Sequence, residues 1–596
     1  MKLSKLNELP TSRDMIDVFG GYNHNLRIRE GEFYDMTNLT SSDYPVLSPR
    51  PQRGTYASPT APRGLISKDA LCYVDGAYFV INKYRIDMRL SDKPKTLISM
   101  GSYVIIMPDK KYINTIKNES DGSFEYGNIE AEARLTSGTV KFSLCKVDGS
   151  GFKNVDAEGV EKEVPAQPKA PDNPNNLDYW IDTSSTPVVI KQYSSTSAQW
   201  ASIATTYIKI TAPGIGNDFE VNDGVTISGV TVESLKDLNN TMIVWDKGDD
   251  YIVVTGILDD EYTQTVSEAN PFKIERKMPN MDFIIESGNR LWGCRYGVAL
   301  NGEVVNEIYA SKLGDFKNWS CFAGISTDSY AASVGTDGQF TAAITHLGYP
   351  LFFKENCIHK VYGNFPANYQ IQTTACRGVQ KGCSKSLAIV NEILYYKSRS
   401  AICAYDGSLP TEISSALGDE VYSDAVAGDL GNKYYISMKD AVGEYHLFVY
   451  DASKGMWHRE DNTQATEFCN CRGNLYFIDY DDNKIKTVID EDASNTARVK
   501  WSATTGVIGT DSPDKKYISR LVVRLSLELG TSVIFSIEYD SSGAWEHLFT
   551  MDGTTLKTFS VPIKPKRCDH LRLRIDGDGV AKIFSIVKTI ERGSDT

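Results

Sequence analysis

Between Gln339 and Ile478 one sequence unit recurs about every forty residues. Each copy opens on a turn and enters an apolar, aromatic strand. The copies are Gly348-Tyr-Pro-Leu-Phe-Phe353, Asn391-Glu-Ile-Leu-Tyr-Tyr396, Gly431-Asn-Lys-Tyr-Tyr-Ile436 and Gly473-Asn-Leu-Tyr-Phe-Ile478. A shorter strand follows and tends to end in Tyr with Gly or Asp, as in Ile358-His-Lys-Val-Tyr-Gly363 and His446-Leu-Phe-Val-Tyr-Asp451. A period of forty to forty-five residues with Gly-aromatic signatures marks a β-propeller blade. A four-stranded blade is apolar on both faces and cannot bury them alone, so blades stack face to face. The turn glycine supplies φ > 0 at little cost, and the aromatic pair fills the wedge between blades. The alternative is an antiparallel sandwich with chance spacing.

The chain of 596 residues allows about three to five domains. Its 33 tyrosines suit strands and interfaces better than helices. A net charge of −14 argues against a nonspecific nucleic-acid binder, but is compatible with an acidic wall that DNA passes without sticking. The 11 cysteines are odd in number and have no disulfide-framework spacing. The first ten residues lack the apolar run of a signal peptide, and no stretch is long enough to span a bilayer. A reducing cytoplasm is the expected place of synthesis.

Five regions are expected. Residues 1–60 form an extended N-terminal arm: its prolines oppose helix and central strand pairing. It also carries Phe19, Tyr22, Phe33, Tyr34, Tyr44 and Leu47, too many large apolar groups for a free tail. It is either a strap along the body or toward a neighbouring subunit, or an ordinary intrachain loop. Residues 61–117 hold the first blades. Residues 118–280 form a β-rich insertion broken by Pro165-Ala-Gln-Pro-Lys-Ala-Pro-Asp-Asn-Pro174, with one short helical segment at 232–239. Blades resume over 281–490, with Gly314-Asp-Phe-Lys-Asn-Trp319 as an edge loop. The polar stretch 489–498 leads into residues 491–596, whose period-two strands predict a β-sandwich. The fold class is therefore all-β: a six- or seven-bladed β-propeller with a β-rich insertion domain and a C-terminal β-sandwich.

The run from Phe340 through Phe352-Phe-Lys-Glu-Asn-Cys-Ile-His-Lys-Val-Tyr-Gly363 resembles the propeller core of head-to-tail nozzle or tail-hub proteins of short-tailed phages. So does its continuation, Arg377-Gly-Val-Gln-Lys-Gly-Cys-Ser-Lys-Ser386 and then Ala404-Tyr-Asp-Gly407. Phe33-Tyr-Asp-Met-Thr-Asn-Leu39 and Pro45-Val-Leu-Ser-Pro-Arg50 resemble the opening of such proteins in phages of Gram-positive hosts. The resemblance covers about 13–54 and 283–490, and leaves the insertion and the C-terminal region unassigned. It implies a virion tail protein assembled in the host cytoplasm. Such a protein forms a homo-oligomeric, usually sixfold ring below the portal and adaptor, in contact with fibres or spikes. The ring retains the packaged DNA and later passes it through a channel, without sequence-specific binding.

No zinc-protease, nucleophile-elbow or phosphate-loop motif is present. His346 and His359 lie on strands and read as packed or solvated. Cys469 and Cys471 share a strand face; Cys376 and Cys383 flank a glycine-rich loop. The first pair reads as packed thiols, with a metal or redox site as the alternative; the second could approach each other, with a functional pair as the less favoured reading. Tyr539-Asp-Ser-Ser-Gly-Ala-Trp545 is near a sialidase box but does not repeat. Asp479-Tyr-Asp-Asp-Asn483 and Asp576-Gly-Asp-Gly579 read as turns, with calcium sites as the alternative. No catalytic, cofactor or metal residue is assigned, and no enzymatic activity is expected. The alternative function is receptor or glycan binding at the tail, with Trp180, Trp200 and Trp545 as sugar platforms. A glycan-degrading propeller enzyme stands third.

Overall fold

The computed structural model describes residues 11–156, 158–298, 302–490, 498–510 and 515–592. The first ten residues and most of the polar stretch expected at 489–498 lie outside them. The described chain is all-β, and helical geometry is confined to short 3₁₀ segments such as Glu233–Leu238, inside the stretch expected to be helical. Among the described residues, seven groups of strands have the four-strand antiparallel order of a propeller blade, six as separate sheets and one as the end of a larger sheet. They span 62–87, 96–128, 283–333, 342–375, 388–412, 423–459, and 465–487 completed by Gly54–Ala57.

The blades follow from local chemistry. The turn before each inner strand needs φ > 0: Gly431 has φ 58° and Gly473 81°, and Asn391 takes the same role at 49°. Inner strands are continuous apolar runs because both faces are covered, as in Tyr349–Lys354 and Lys433–Lys439. Aromatic rings fill the space from one blade to the next. Phe353 lies 5.3 Å from Tyr396, and Tyr395 lies 5.3 Å from Tyr434.

The chain divides into two compact units. The first comprises 1–97, 340–360 and 373–596. Here the arm lies along the body, one of the expected alternatives, but as short paired strands instead of an extended, unpaired segment. Thr11–Ile16 pairs with Ala581–Arg592 at a sheet edge. Gly21–Tyr22 pairs with Trp457 on one side and with Phe33 on the other. Glu32–Thr37 pairs onward with Lys500–Thr505. Gly54–Ala57 supplies the fourth strand of the last blade, which joins the start of the repeats to their end. The prolines did not prevent this, because Pro45, Pro49 and Pro51 fall between or at the ends of short strands. Gly21 has φ 84°, and a Cβ there would meet the Trp457 carbonyl oxygen at 2.4 Å. Only glycine allows the arm to lie this close to the blade.

Residues 491–596, expected as a domain of their own, fall in this same unit. Lys516–Tyr539 pairs through its first half with Ala581–Arg592 and through its second half with Leu571–Asp578. Trp545–Val561 runs along both halves, with register breaks between Leu525 and Ser532. Bulges there bend the long strand. Leu521, Val523, Leu525, Val533, Phe535 and Ile537 are buried in one core. Hydrogen bonding is continuous from this sheet through Lys500–Thr505 and the arm into the 423–459 blade.

The second unit comprises 98–339 and 361–372. The 96–128 blade takes Phe124–Asn128 as its outer strand, so the insertion begins at Ala131–Leu135, later than the expected residue 118. Two sheets enclose the insertion core of Phe142, Phe219, Ile252, Phe272 and their neighbours. The 314–319 segment is a loop, as expected. Its Phe316 and Trp319 are buried, packed with Tyr103 and Tyr112.

Candidate functional site

In the first unit, a cleft of about 340 Å³ opens where the arm crosses the 423–459 blade. Tyr22, Phe448 and Tyr422 line its floor, with Tyr22 and Tyr422 each 5.5 Å from Phe448. His24 and Asp35 enter from the arm; Asp440, His446 and Arg459 enter from the blade. Glu420 and Tyr422 also line a neighbouring cleft of about 480 Å³, which runs past Lys397, Arg399 and Glu412. Val421 and Val442 lie along the two clefts at 66% and 85% exposure, an apolar rim around charged groups.

Local structure fixes each polar group. His24 donates its backbone N–H to Ala416 and its Nδ1–H to the Tyr34 carbonyl at 2.8 Å, and its ring stacks 4.2 Å from Tyr34. Arg459 donates to Asp35 at 3.1 Å, to Asn462 at 2.8 Å and to His446 Nδ1 at 3.1 Å. A guanidinium can only donate, so Nδ1 of His446 carries no proton. The proton is on Nε2, which donates to Asp440 at 2.8 Å. Burial opposes ionisation of Asp440. Hydrogen bonds from His446 and from the amides of Glu444 and Val442 nonetheless hold its carboxyl below the usual carboxylate range. Burial pushes the Tyr22 and Tyr422 phenols well above their ordinary value, so both stay neutral.

Both nitrogens of His446 are therefore engaged, and it shapes the cleft instead of acting as a base. What faces the opening is a set of aromatic rings, the carboxylates of Asp35 and Glu420, and the Arg459 guanidinium. Rings cover apolar faces, and carboxylates with a guanidinium fork bond polar edges. The arrangement suits a ligand with flat apolar faces and hydroxyl edges.

The residues singled out from sequence lie elsewhere. Trp180 is buried, 5.4 Å from Trp200, with Tyr193 5.3 Å from Trp200, so these rings pack on one another. Trp545 is half-buried at the start of its strand, paired with Glu538. His346 is buried and bonds the Glu392 carbonyl at 2.7 Å. His359 is buried and bonds Thr373 at 2.8 Å; burial, with Lys354 nearby, lowers its pKa to about 4. Cys469 and Cys471 are free thiols, as are Cys376 and Cys383; burial raises Cys376 to about 11. Asp479 and Asp482 both pair with Lys486, at 2.6 Å and 3.0 Å. Asp576 pairs with Arg574 at 2.9 Å, and Gly577 lies against the Trp501 ring.

The cleft residues were missed. The arm aromatics were noticed only as apolar bulk, and no local motif links Tyr22 or His24 to His446.

No protein family matches the chain, and no curated protein matches it. Solved structures do. An exo-β-1,3-galactanase from Phanerochaete chrysosporium, solved with galactose, is 10% identical over 51% of this chain and 94% of its own, at TM-score 0.21. An engineered GH43 glycoside hydrolase with xylanase and arabinofuranosidase activity is 8% identical over 52% and 97%, at TM-score 0.19. PorZ, a surface component of the type-IX secretion system of Porphyromonas gingivalis, is 11% identical over 89% and 77%, at TM-score 0.19. The first two are enzymes, which corrects the expectation that this chain has no enzymatic activity. At these scores and identities they assign no reaction and no residue to it.

Proposed function

We propose that this chain is a subunit of a tail nozzle or hub of a short-tailed phage, forming a homo-oligomeric, sixfold ring around the DNA exit channel. Its partners are the portal and adaptor above and the fibres or spikes around it, with the genome passing through. One observation supports this reading most. The arm and the blades that carry the resemblance are built into each other. Tyr22 pairs with Trp457, Ser41 bonds Asp451 at 2.5 Å, and Lys433 bonds Thr40 and Ser42 at 2.9 Å each. The arm and the resembling blade at 423–459, both in the first unit, thus form one structural element, although some four hundred residues of sequence separate the paired residues. The acidic balance of −14 suits a wall that does not grip phosphates.

The test is antibody-gold labelling of intact particles, with native mass spectrometry of the purified protein. Gold at the tail vertex beside the capsid and a sixfold species are expected. Gold on peripheral fibres, or no protein on particles, would overturn the nozzle.

The cleft favours a second reading, glycan binding at the tail. Ring faces stack on sugar C–H faces, and the carboxylates and guanidinium suit paired hydroxyls. Glu420 is exposed, so Glu420→Gln should leave the melting temperature unchanged. It should weaken binding to host-wall glycans about tenfold or more, as loss of a charged hydrogen bond of about 1.5–3 kcal/mol implies. Equal binding by the variant, or no glycan binding by the unaltered protein, would remove this reading.

A further inference from the structure

The turn that joins the two longest strands does more than reverse the chain. Ser541 Oγ lies 2.8 Å from Nε2 of His570, and Nδ1 of His570 lies 2.9 Å from Oδ2 of Asp569. Asp569 is held below the usual carboxylate range, first by the hydrogen bond from His570, so it is ionised at neutral pH. An ionised carboxylate can only accept, so Nδ1 carries the proton. The lone pair on Nε2 then faces Ser541, whose hydroxyl donates to it. Of the two His–Asp pairs among the described residues of this unit, His446 has its second nitrogen blocked by Arg459. His570 has its second nitrogen aimed at a hydroxyl.

The surroundings fix this geometry. Asp540 Oδ1 accepts the amides of Asp569 at 2.7 Å and His570 at 3.3 Å. The amide of Asp540 donates in turn to the His570 carbonyl at 3.0 Å. The tip of the turn is thereby clamped to the segment 569–570 that leads into the strand Leu571–Asp578. Asp540 and Ser541 have φ of 51° and 48°, both in the left-handed region. A tight hairpin ordinarily places Asn or Gly there, and serine at the second position costs stability. What serine adds is its hydroxyl, and local rules tend to be broken where a site needs it. Ser541 is exposed, and the His570 side chain is 23% exposed, so a substrate can reach both.

We propose that Ser541, His570 and Asp569 form a nucleophilic triad that hydrolyses small acyl esters carried on an open surface, such as an ester-substituted polymer. Ser541 Oγ attacks the ester carbonyl carbon as its proton passes to His570 Nε2. The C–O bond to the alcohol breaks, and the leaving oxygen takes that proton. Water then adds to the acyl-serine, gives a proton to Nε2, and the serine oxygen leaves and regains it. The sum is ester plus water giving acid plus alcohol, and no cofactor enters. Asp569 fixes the tautomer and carries the developing positive charge of the ring. The inference is independent of the tail reading and of the glycan cleft.

The experiment uses the full chain with a fluorophosphonate probe, peptide mass spectrometry and p-nitrophenyl acetate turnover. The probe should modify Ser541, and turnover should saturate. Ser541→Gly should abolish both. It should also melt at the same or a higher temperature, because glycine prefers this φ, so loss of activity is separated from loss of fold. His570→Gln should abolish labelling, and Asp569→Asn should lower turnover at least about a hundredfold. The His547 side chain bonds Thr550 at 2.9 Å, outside the triad. His547→Gln should therefore leave turnover unchanged, and excludes acylation of a surface histidine as its source. An unlabelled Ser541, or equal hydrolysis by Ser541→Gly, would overturn the proposal.

Discussion

Replacing Arg53 with alanine is expected to destabilise the protein by about 3–5 kcal/mol, the usual cost of breaking a buried ion cluster from one side. Arg53 donates to Glu460 at 2.7 Å and to Thr463 at 2.5 Å, and its second nitrogen lies 2.9 Å from Asp461. Arg50 reaches the same carboxylates, at 3.5 Å and 3.2 Å. The side chains of Arg53 and Glu460 are only 11% and 4% exposed. Removing the guanidinium leaves two carboxylates facing Arg50 alone, in a site that water does not reach freely. The same side chain lies 5.4 Å over the Phe477 ring, so its loss also loosens the last blade. Arg53→Lys keeps the charge but cannot bond Glu460, Asp461 and Thr463 together, and should lose part of this. Urea denaturation followed by tryptophan fluorescence is the measurement. A change under about 1 kcal/mol would mean that the arm unfolds separately from the blades.

That network also shows what local sequence can and cannot disclose. The blades were legible because their signal is local: a turn residue with φ > 0, then an aromatic strand, repeated. Gly431, Gly473 and the paired tyrosines reveal their role within ten residues of context. The closing strand was not legible. Gly54–Ala57 has no strand pattern of its own, and finds its ladder on Ile485–Thr487. The arm misled for the same reason. Its prolines argue correctly against long strands, and say nothing about two- to six-residue strands placed between them.

The candidate sites were hidden by distance of another kind. Tyr22 and His24 meet Asp440 and His446 only in the folded chain, and Arg459 is unremarkable until Asp35 and His446 lie beside it. Ser541 stood inside a string that was set aside for not repeating. Its partner His570 is only 29 residues away, but just before a strand that carries no motif. Chemistry assembled across a sheet leaves no spacing to read. A strained backbone at Asp540 and Ser541 is the nearest thing to a local clue, and it appears only with coordinates.

Acidification from pH 7 to pH 5 should cost about 4 kcal/mol of stability, through two histidines. Burial, with Lys433 and Lys454 nearby and Asp451 opposing, lowers His458 from 6.5 to about 3. Burial and Lys354 lower His359 from 6.5 to about 4. Both are neutral in the fold and protonate in the unfolded chain first. Below pH 6.5 the unfolded state therefore binds more protons, and stability falls as pH falls, until the folded values are reached. At pH 5 each histidine contributes about 2 kcal/mol of this loss. Depressed carboxylates such as Asp440, Asp451 and Asp461 act in a lower window, since their ordinary value is 3.8 and they stay ionised in both states at pH 5. The interval between pH 6.5 and 5 thus leaves these carboxylates out; Glu467, whose carboxyl pKa burial raises, acts there with the opposite sign, and comparison of a variant with the unaltered protein cancels it. His359→Gln keeps a partner for Thr373 and cannot take a proton. The stability difference between pH 7 and pH 5 should shrink by about 2 kcal/mol in that variant, whatever its stability at pH 7. Urea midpoints at the two pH values provide the measurement. A pH dependence unchanged by the substitution would show that His359 is charged, or solvated, in the fold.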